Sequence, residues 1–312
     1  SSTTSNKDSN SLVAIKEVNK INLTTTELRS LKNEINILKQ CLGSHSNHIL
    51  SFYEYYETDS KFCIITELVS GGELYDFINR EEEPDCNDDA RRGPDSKGGK
   101  LTEKQVSSLL KSLLEGLDAL QDMNVAHRDL KPENILFRKK PSMSDDDLSD
   151  IVLIDFGFAA ICQGASLSNV CGTADFIAPE ILKGLNYDYR CDIWSCGVLA
   201  YLLLSGEHPF PGENDFAKHK TIKNFKGFSA DSQHPEFDNN GDELPSLDRN
   251  ISGSFSTLSL EARTFLTQCL HPIPQKRLLA RDLLLSSFID GGDEYLKNKK
   301  DKLEKEEKEK KR

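Results

Sequence analysis

The chain has 312 residues, 37% of them hydrophobic and 29% charged, which is the balance of a soluble globular protein with material for one large unit or two lobes. A formal net charge of −12 argues against nucleic acid as a main partner and suits basic peptides, although solubility alone would favour the same sign. The eight cysteines form no C-x-x-C pair for zinc or redox work and read as reduced packing residues of an intracellular, cytoplasmic protein, with the nucleus left open; no apolar run approaches a membrane span, and the Ser/Thr/Asn-rich start lacks the parts of a signal peptide.

Residues 1–11 are polar and read as a loop or lead-in. Leu12-Val13-Ala14-Ile15-Lys16-Glu17-Val18 predicts a strand of β-branched residues from which Lys16 projects. Thr24-Thr25-Thr26-Glu27 carries an N-cap signal for a helix whose Leu28, Leu31, Ile35 and Leu38 recur at helical spacing. Glu34 lies at the edge of that apolar face. Two further strands are expected over Ile49–Tyr56 and Phe62–Thr66, the second running into Thr66-Glu67-Leu68-Val69-Ser70-Gly71-Gly72-Glu73-Leu74. A helix begins over Leu74–Asn79 and is broken by a polar stretch near 80–100, read as an exposed insertion that is either a neutral surface loop or a partner-binding one.

From Thr102 the leucines 109, 110, 113, 114, 117 and 120 predict a long helix with a broad buried face. His127-Arg128-Asp129-Leu130-Lys131-Pro132-Glu133-Asn134 follows, then the strand Ile135-Leu136-Phe137, a second polar insertion over 139–150, and the apolar run Ile151-Val152-Leu153-Ile154 that ends in Asp155-Phe156-Gly157. Two carboxylates and an amide thus sit on two short loops after strand-like segments. Such a set is suited to holding a divalent metal and taking a proton from a hydroxyl, which is the chemistry of phosphoryl transfer. Cys171 to Glu180 is a further loop, and Asp192-Ile193-Trp194-Ser195-Cys196-Gly197-Val198-Leu199 opens a helix apolar enough to run through a protein interior. Residues 229–253 form a third polar insertion. Its Asp238-Asn239-Asn240-Gly241-Asp242 invites a calcium-loop reading that fails, because Leu247 stands where a bidentate glutamate is needed. Closing helices are expected over Leu258–Leu270 and Ala280–Ser286, and the Lys/Glu tail from Leu296 to Arg312 reads as a solvated helix without the apolar stripe of a calmodulin target.

From about Leu12 to Ile289 these motifs resemble the eukaryotic protein kinases, serine/threonine type, and within them the calmodulin-regulated and calcium-dependent group. The resemblance implies an α+β bilobal fold: a partial small lobe over 1–66, a hinge at 67–70, a large helical lobe over 71–290 and a charged tail over 291–312. It implies ATP and Mg2+ as cofactors, with Lys16 holding the α- and β-phosphates, Glu34 as its ion-pair partner, and backbone groups around Glu67 to Val69 binding adenine behind a Thr66 gatekeeper. Asp129 would orient the substrate hydroxyl and accept its proton, Lys131 would neutralise the transferred phosphoryl, and Asn134 with Asp155 would hold the metal. Glu73 and Glu133 fall where basophilic relatives bind arginines ahead of a Ser/Thr acceptor, or are rim charge. Asp192 is implied to support the catalytic loop, and Glu180 to pair with Arg277. Asn169, four positions before Thr173, takes the place of a commonly phosphorylated threonine, leaving Ser166 and Ser168 as acceptors. The implied partners are protein substrates and a regulatory partner reached through the insertions or the tail. No glycine precedes Lys16, so the G-x-G-x-x-G hairpin of the family is expected either to be lost or to lie upstream in the parent protein, and the competing expectation is a kinase-like scaffold with weak or no catalysis.

Overall fold

A three-stranded antiparallel sheet comes first among the described residues: β1 (Val13–Asn19), β2 (Phe52–Glu57) and β3 (Lys61–Glu67), in the order β1-β3-β2. The structure is a computed structural model, and it describes residues 12–42, 46–80, 100–162, 167–227 and 254–310. On β3 every second residue, Phe62, Ile64 and Thr66, is buried, the two-residue period of a strand packed on one face. Helix α1 (Thr25–Cys41) covers that face and starts in a capping box made by Thr24 and Glu27, as the sequence indicated. Its buried stripe is Leu31, Ile35, Ile37, Leu38 and Cys41.

The remainder is mostly helical. Helix α2 (Leu74–Ile78) is short, and α3 (Glu103–Asp122) is capped by Thr102 and buried along most of its length. Two antiparallel ribbons follow: β4 (Val125–Ala126) with β7 (Ala160–Ile161), and β5 (Ile135–Phe137) with β6 (Ile151–Leu153). This pairing sets the loop between β4 and β5 beside the loop between β6 and β7, so residues 127–134 and 154–159 face one another. Helices α4 (Pro179–Leu182), α5 (Arg190–Ser205), α6 (Asp215–Asn224), α7 (Ser254–Thr257), α8 (Leu260–Cys269), α9 (Ala280–Leu283) and α10 (Gly292–Lys310) complete the described chain. Helix α5 is buried on nearly all sides, with Trp194 and Tyr201 fully enclosed. Gly197 lets α8 approach closely, since a Cβ there would stand 2.7 Å from the Cβ of Cys269.

The small and large parts meet through backbone contacts. Ile49 bridges Leu153 in parallel, Leu50 N–H donates to the Leu153 carbonyl at 3.1 Å, and Leu153 N–H donates to that of His48 at 2.8 Å. After β3 the chain is stitched to β5 by Gly71 N–H to the Phe137 carbonyl and Phe137 N–H to that of Gly72. A side chain at Gly71 would collide with the Phe137 oxygen at 2.3 Å, so glycine is required for this approach.

Two polar segments are held by specific contacts, and for the second this corrects an expectation. Residues 139–150 are polar but tied down: Gln105 Nε2 donates to the carbonyls of Met143 and Asp145, both at 2.9 Å, Leu148 N–H donates to Ser108 Oγ at 2.8 Å, and Leu148 is buried. The tail is not a solvated helix throughout, because the first turns of α10 dock on α3. Tyr295 and Leu296 pack against the core, and the Lys299 ammonium meets the wholly buried Asp118 and lies 2.6 Å from Asp122. A fully buried carboxylate requires such cations, and Arg281, 3.4 Å away, is the second. Helix α6 was not foreseen, and the insertions near 80–100 and 229–253 lie almost wholly outside the described residues.

Glu180 and Arg277 clamp α4 to the end of the domain. Both carboxylate oxygens accept from the guanidinium at 2.7 Å in a buried pair, and the guanidinium lies 5.1 Å from the Trp194 ring centroid. Removing one partner strands the other charge, so Arg277→Leu is expected to cost about 3–5 kcal/mol. Urea unfolding of both proteins measures it, and a difference below about 1 kcal/mol would show that the pair is dispensable.

Candidate active site

The loop of residues 127–134 is held from beneath by Asp192 in the first turn of α5. Its Oδ2 accepts from His127 N–H at 2.7 Å and its Oδ1 from Arg128 N–H at 2.8 Å, so one carboxylate fixes two consecutive peptide groups. Burial pushes the Asp192 carboxyl up from its ordinary value, against the opposing pull of His127 and the two N–H donors. The His127 ring bonds the Ile154 carbonyl through Nε2 at 2.9 Å and stands edge-on to Phe156 with centroids 5.0 Å apart, joining this loop to the one that carries Asp155.

Arg128 and Asp155 have φ of 68° and 61°, left-handed backbone that non-glycine residues rarely adopt. At Arg128 the conformation is held by contacts in three directions. Its N–H is on Asp192, Nε donates to the Phe158 carbonyl at 2.6 Å, and Nη1 donates to the Tyr187 hydroxyl at 3.1 Å. Tyr187 in turn donates to the Asn169 carbonyl at 2.7 Å. Burial raises the Tyr187 phenol well above its ordinary value, so the hydroxyl remains a donor. At Asp155, Oδ1 accepts from Gly157 N–H at 3.1 Å, and the residue is exposed.

Around Asp129 the side chains converge. Asn134 Nδ2 donates to the Asp129 carbonyl at 2.7 Å and to its Oδ2 at 3.0 Å, Lys131 Nζ lies 3.0 Å from the same Oδ2, and Thr173 Oγ1 donates to Oδ1 at 2.8 Å while accepting from Lys131 at 3.0 Å. With its amide nitrogen committed, Asn134 has its side-chain oxygen left to offer, and Asp155 has Oδ2. These are hard oxygen donors of the type magnesium takes, so the residues present fit that ion.

In the small sheet, Lys16 on β1 places Nζ 2.7 Å from Glu34 Oε1 on α1. The glutamate side chain is 8% exposed and the lysine 52%, so the pair has a buried anchor and an open end. Thr66 is buried on β3, in register with Ala14 and Phe52. The Glu67 side chain turns to Arg138 and to Ser51 N–H at 2.7 Å; burial would raise its carboxyl, but these partners hold it below the ordinary value. Glu67 N–H donates to the Ser51 carbonyl at 2.9 Å, so the amide of this residue is already committed, and Val69 follows half-buried. Glu73 bridges Leu136 through its backbone just before α2. Glu133 keeps a buried Oε2 without a hydrogen-bond partner among the described residues.

The sequence did not indicate that Thr173 would share a hydrogen bond with Asp129, nor that Arg138 would brace Glu67. Thr173 lies 44 residues from Asp129 and Arg138 lies 71 from Glu67, separations at which no local period carries a signal.

Fold and side-chain arrangement together are those of a protein kinase domain, and residues 2–289 match that family, to which the chain belongs. Its relatives include "Calcium-dependent protein kinase 5" of Plasmodium berghei, 36% identical over 268 residues, which are 85% of this chain and 39% of the relative. "Calcium/calmodulin-dependent protein kinase type 1" of Macrobrachium nipponense is 38% identical over 209 residues, 67% of this chain and 53% of the relative. "Death-associated protein kinase 2" of Mus musculus is 34% identical over 260 residues, 83% of this chain and 58% of the relative. The chain spans less than two thirds of the length of each of these relatives.

Asp192→Asn keeps the shape but places an amide nitrogen against one of the two backbone donors. Hydrogen bonds to charged groups are worth about 1.5–3 kcal/mol, so phosphotransfer is expected to fall roughly tenfold to a hundredfold with the circular dichroism spectrum retained. Activity within twofold of the parent would show that the loop holds its form without the carboxylate.

Proposed function

We propose that the chain is the catalytic domain of an ATP-dependent serine/threonine protein kinase, in which Asp129 accepts the proton of the substrate hydroxyl. The observation that carries this reading is the convergence of Thr173, Lys131 and Asn134 on the two oxygens of Asp129. The carboxylate is fixed in rotamer by neighbouring donors. A substrate hydroxyl that displaces Thr173 from Oδ1 would meet an acceptor already oriented. The hydroxyl oxygen forms its bond to the γ-phosphorus, the bond from that phosphorus to the bridging oxygen breaks, ADP leaves with the electron pair, and the proton passes to Asp129. Lys131, 3.0 Å from both Thr173 Oγ1 and Asp129 Oδ2, would stand beside the transferred group as its positive charge.

Asn134 and Asp155 would hold Mg2+, which when bound neutralises charge between the phosphates. Lys16, oriented by Glu34, would hold the α- and β-phosphates, and the segment from Glu67 to Val69 would receive adenine beside Thr66. The unpartnered Glu133 Oε2, with Glu73 at the head of α2, supports a preference for basic residues ahead of the acceptor, since a buried carboxylate oxygen lacking a donor gains most from a cation. Names of the relatives support regulation by calcium or calmodulin in the parent protein. The seven described cysteines, all free thiols, support an intracellular setting, and no described helix is long and apolar enough to cross a membrane.

Asp129→Asn tests the central role. Loss of a positioned base typically costs about a hundredfold to ten-thousandfold, so peptide phosphorylation is expected to drop by that factor with nucleotide affinity retained. Near-parent turnover would overturn the assignment. Nucleotide binding by the parent without any phosphotransfer would favour a scaffold that binds partners instead.

Thr66→Met tests the adenine site. The buried, small Thr66 leaves room for an ATP-site inhibitor with a bulky aromatic group, and methionine is expected to weaken such a compound roughly tenfold or more. Equal affinities by titration would place the adenine pocket away from Thr66.

A further inference from the structure

Asp175 stands two residues beyond Thr173, whose hydroxyl is on Asp129, and its carboxylate is met by the ammonium of Lys218 on α6. The two side chains are 26% and 24% exposed, so the pair is drawn largely out of solvent yet stays open on one side. Both partners project from anchored backbone. Asn214 caps α6 by accepting from Ala217 N–H at 3.0 Å, and Gly212 comes so near the helix that a Cβ there would stand 2.6 Å from Lys218 N. Next to Asp175, the Phe176 carbonyl accepts from Ser195 Oγ at 2.8 Å.

The ring of Phe176 stands edge-on to His208 with centroids 5.4 Å apart, and His208 lies within electrostatic reach of Asp175, Lys218 and Glu133. These four groups form one neighbourhood between the loop of Asp129 and α6. Burial lowers the His208 imidazole from its ordinary value, with Asp175 and Glu133 opposing and Lys218 assisting, so the ring is neutral at pH 7 and Lys218 is the cation of the four. The two carboxylates differ in what they hold. Glu133 keeps a buried Oε2 without a hydrogen-bond partner among the described residues, whereas Asp175 already has its lysine.

From this arrangement we propose that Lys218 is a specificity-determining residue: by occupying Asp175 it stands in for a basic side chain of the peptide, so that the substrate's cation is read at Glu133 and a second acidic subsite, built from Asp175, stays closed. The proposal rests on the kinase reading above and narrows its substrate class, from basic peptides in general to peptides for which a further basic residue near Asp175 brings no gain. An ion pair within one chain forms at a high effective concentration, which a cation arriving on a peptide does not share. Lys218 therefore wins the competition for a single carboxylate.

The experiment measures kcat/KM in the full chain for a basic acceptor peptide and for derivatives in which one extra arginine is moved, a position at a time, along both sides of the serine. Lys218→Met keeps the apolar stem and removes the charge. It is expected to raise kcat/KM about tenfold for arginine at one position or two adjacent ones, and to leave the rest of the profile as in the parent, because a half-buried carboxylate freed of its cation gains a charge-assisted bond. Lys218→Gln is expected to show a smaller gain at the same position, and Lys218→Arg to keep the parent profile. Adding Asp175→Asn to Lys218→Met is expected to abolish the gain. No gain at any position overturns the proposal, as does a uniform gain at all of them, which is the bulk effect of removing one positive charge. A fall of equal size for every peptide, with a lowered thermal midpoint, also overturns it and leaves the pair a structural brace. Should the parent phosphorylate none of the peptides, the kinase reading fails, while peptide affinities from fluorescence anisotropy across the same series still decide whether Lys218 closes the Asp175 subsite.

Discussion

The Asp192 carboxylate supports two consecutive N–H groups of a loop that has little regular structure of its own beyond one 3-10 turn at Pro132–Asn134. Without that support the left-handed Arg128, whose backbone costs on the order of 1–3 kcal/mol in a non-glycine residue, would lose one of the three contacts that hold it. Helix α5 can supply this support because it is closely packed: it is buried along nearly all its length, and Gly197 permits α8 to pack at close range. A charge in the first turn of a buried helix is costly to desolvate, and the upward push on the Asp192 carboxyl reflects it. That cost is accepted where the peptide groups beside Asp129 must be oriented to within tenths of an ångström.

Arg128 extends the support outward. Its guanidinium reaches the Phe158 carbonyl on one side and Tyr187 on the other, and Tyr187 passes the connection to Asn169. A guanidinium at such a place would ordinarily invite an anionic partner. The described contacts supply a neutral alternative: a phenol held protonated by burial donates to a backbone carbonyl of the same segment. The order of the segment from Leu167 to Thr173 therefore draws on the Leu167 to Tyr187 bridge and on this chain of hydrogen bonds.

The small sheet is joined to the rest by polar contacts in a few places. Arg138 braces Glu67, His48 and Leu50 exchange backbone bonds with Leu153, and Asn33 reaches Ala159. Each joins segments whose relative placement sets the distance between Lys16 and Asp155. Directional bonds at separated points define an angle between two bodies better than a continuous apolar seam, which tolerates sliding.

The amino-acid sequence by itself determined the local elements and the identity of the chemistry. The capping box of Thr24 and Glu27, the leucine period of α3, the strand Ile135–Phe137 and the alternation of β3 are short-range patterns, and the structure reproduces them with boundary shifts of no more than one residue. The pairing of Lys16 with Glu34 was expected from the resemblance to the protein kinases, and the two side chains meet at 2.7 Å. Only the tertiary structure decided what depends on residues far apart: the hydroxyl of Thr173 between Asp129 and Lys131, the tether from Asn33, the docking of α10 on the buried Asp118, and the anchoring of the polar loop 139–150 by Gln105. The two-residue strands β4 and β7 were equally invisible, being too short to show a period and stable only because the folded chain brings them together. A charged tail and a polar loop carry the composition of solvated segments, and nothing local says that a buried carboxylate or an amide elsewhere requires them. Periodicity reports how a segment meets solvent and core on average, whereas these contacts are set by which particular donor the folded chain carries to which acceptor.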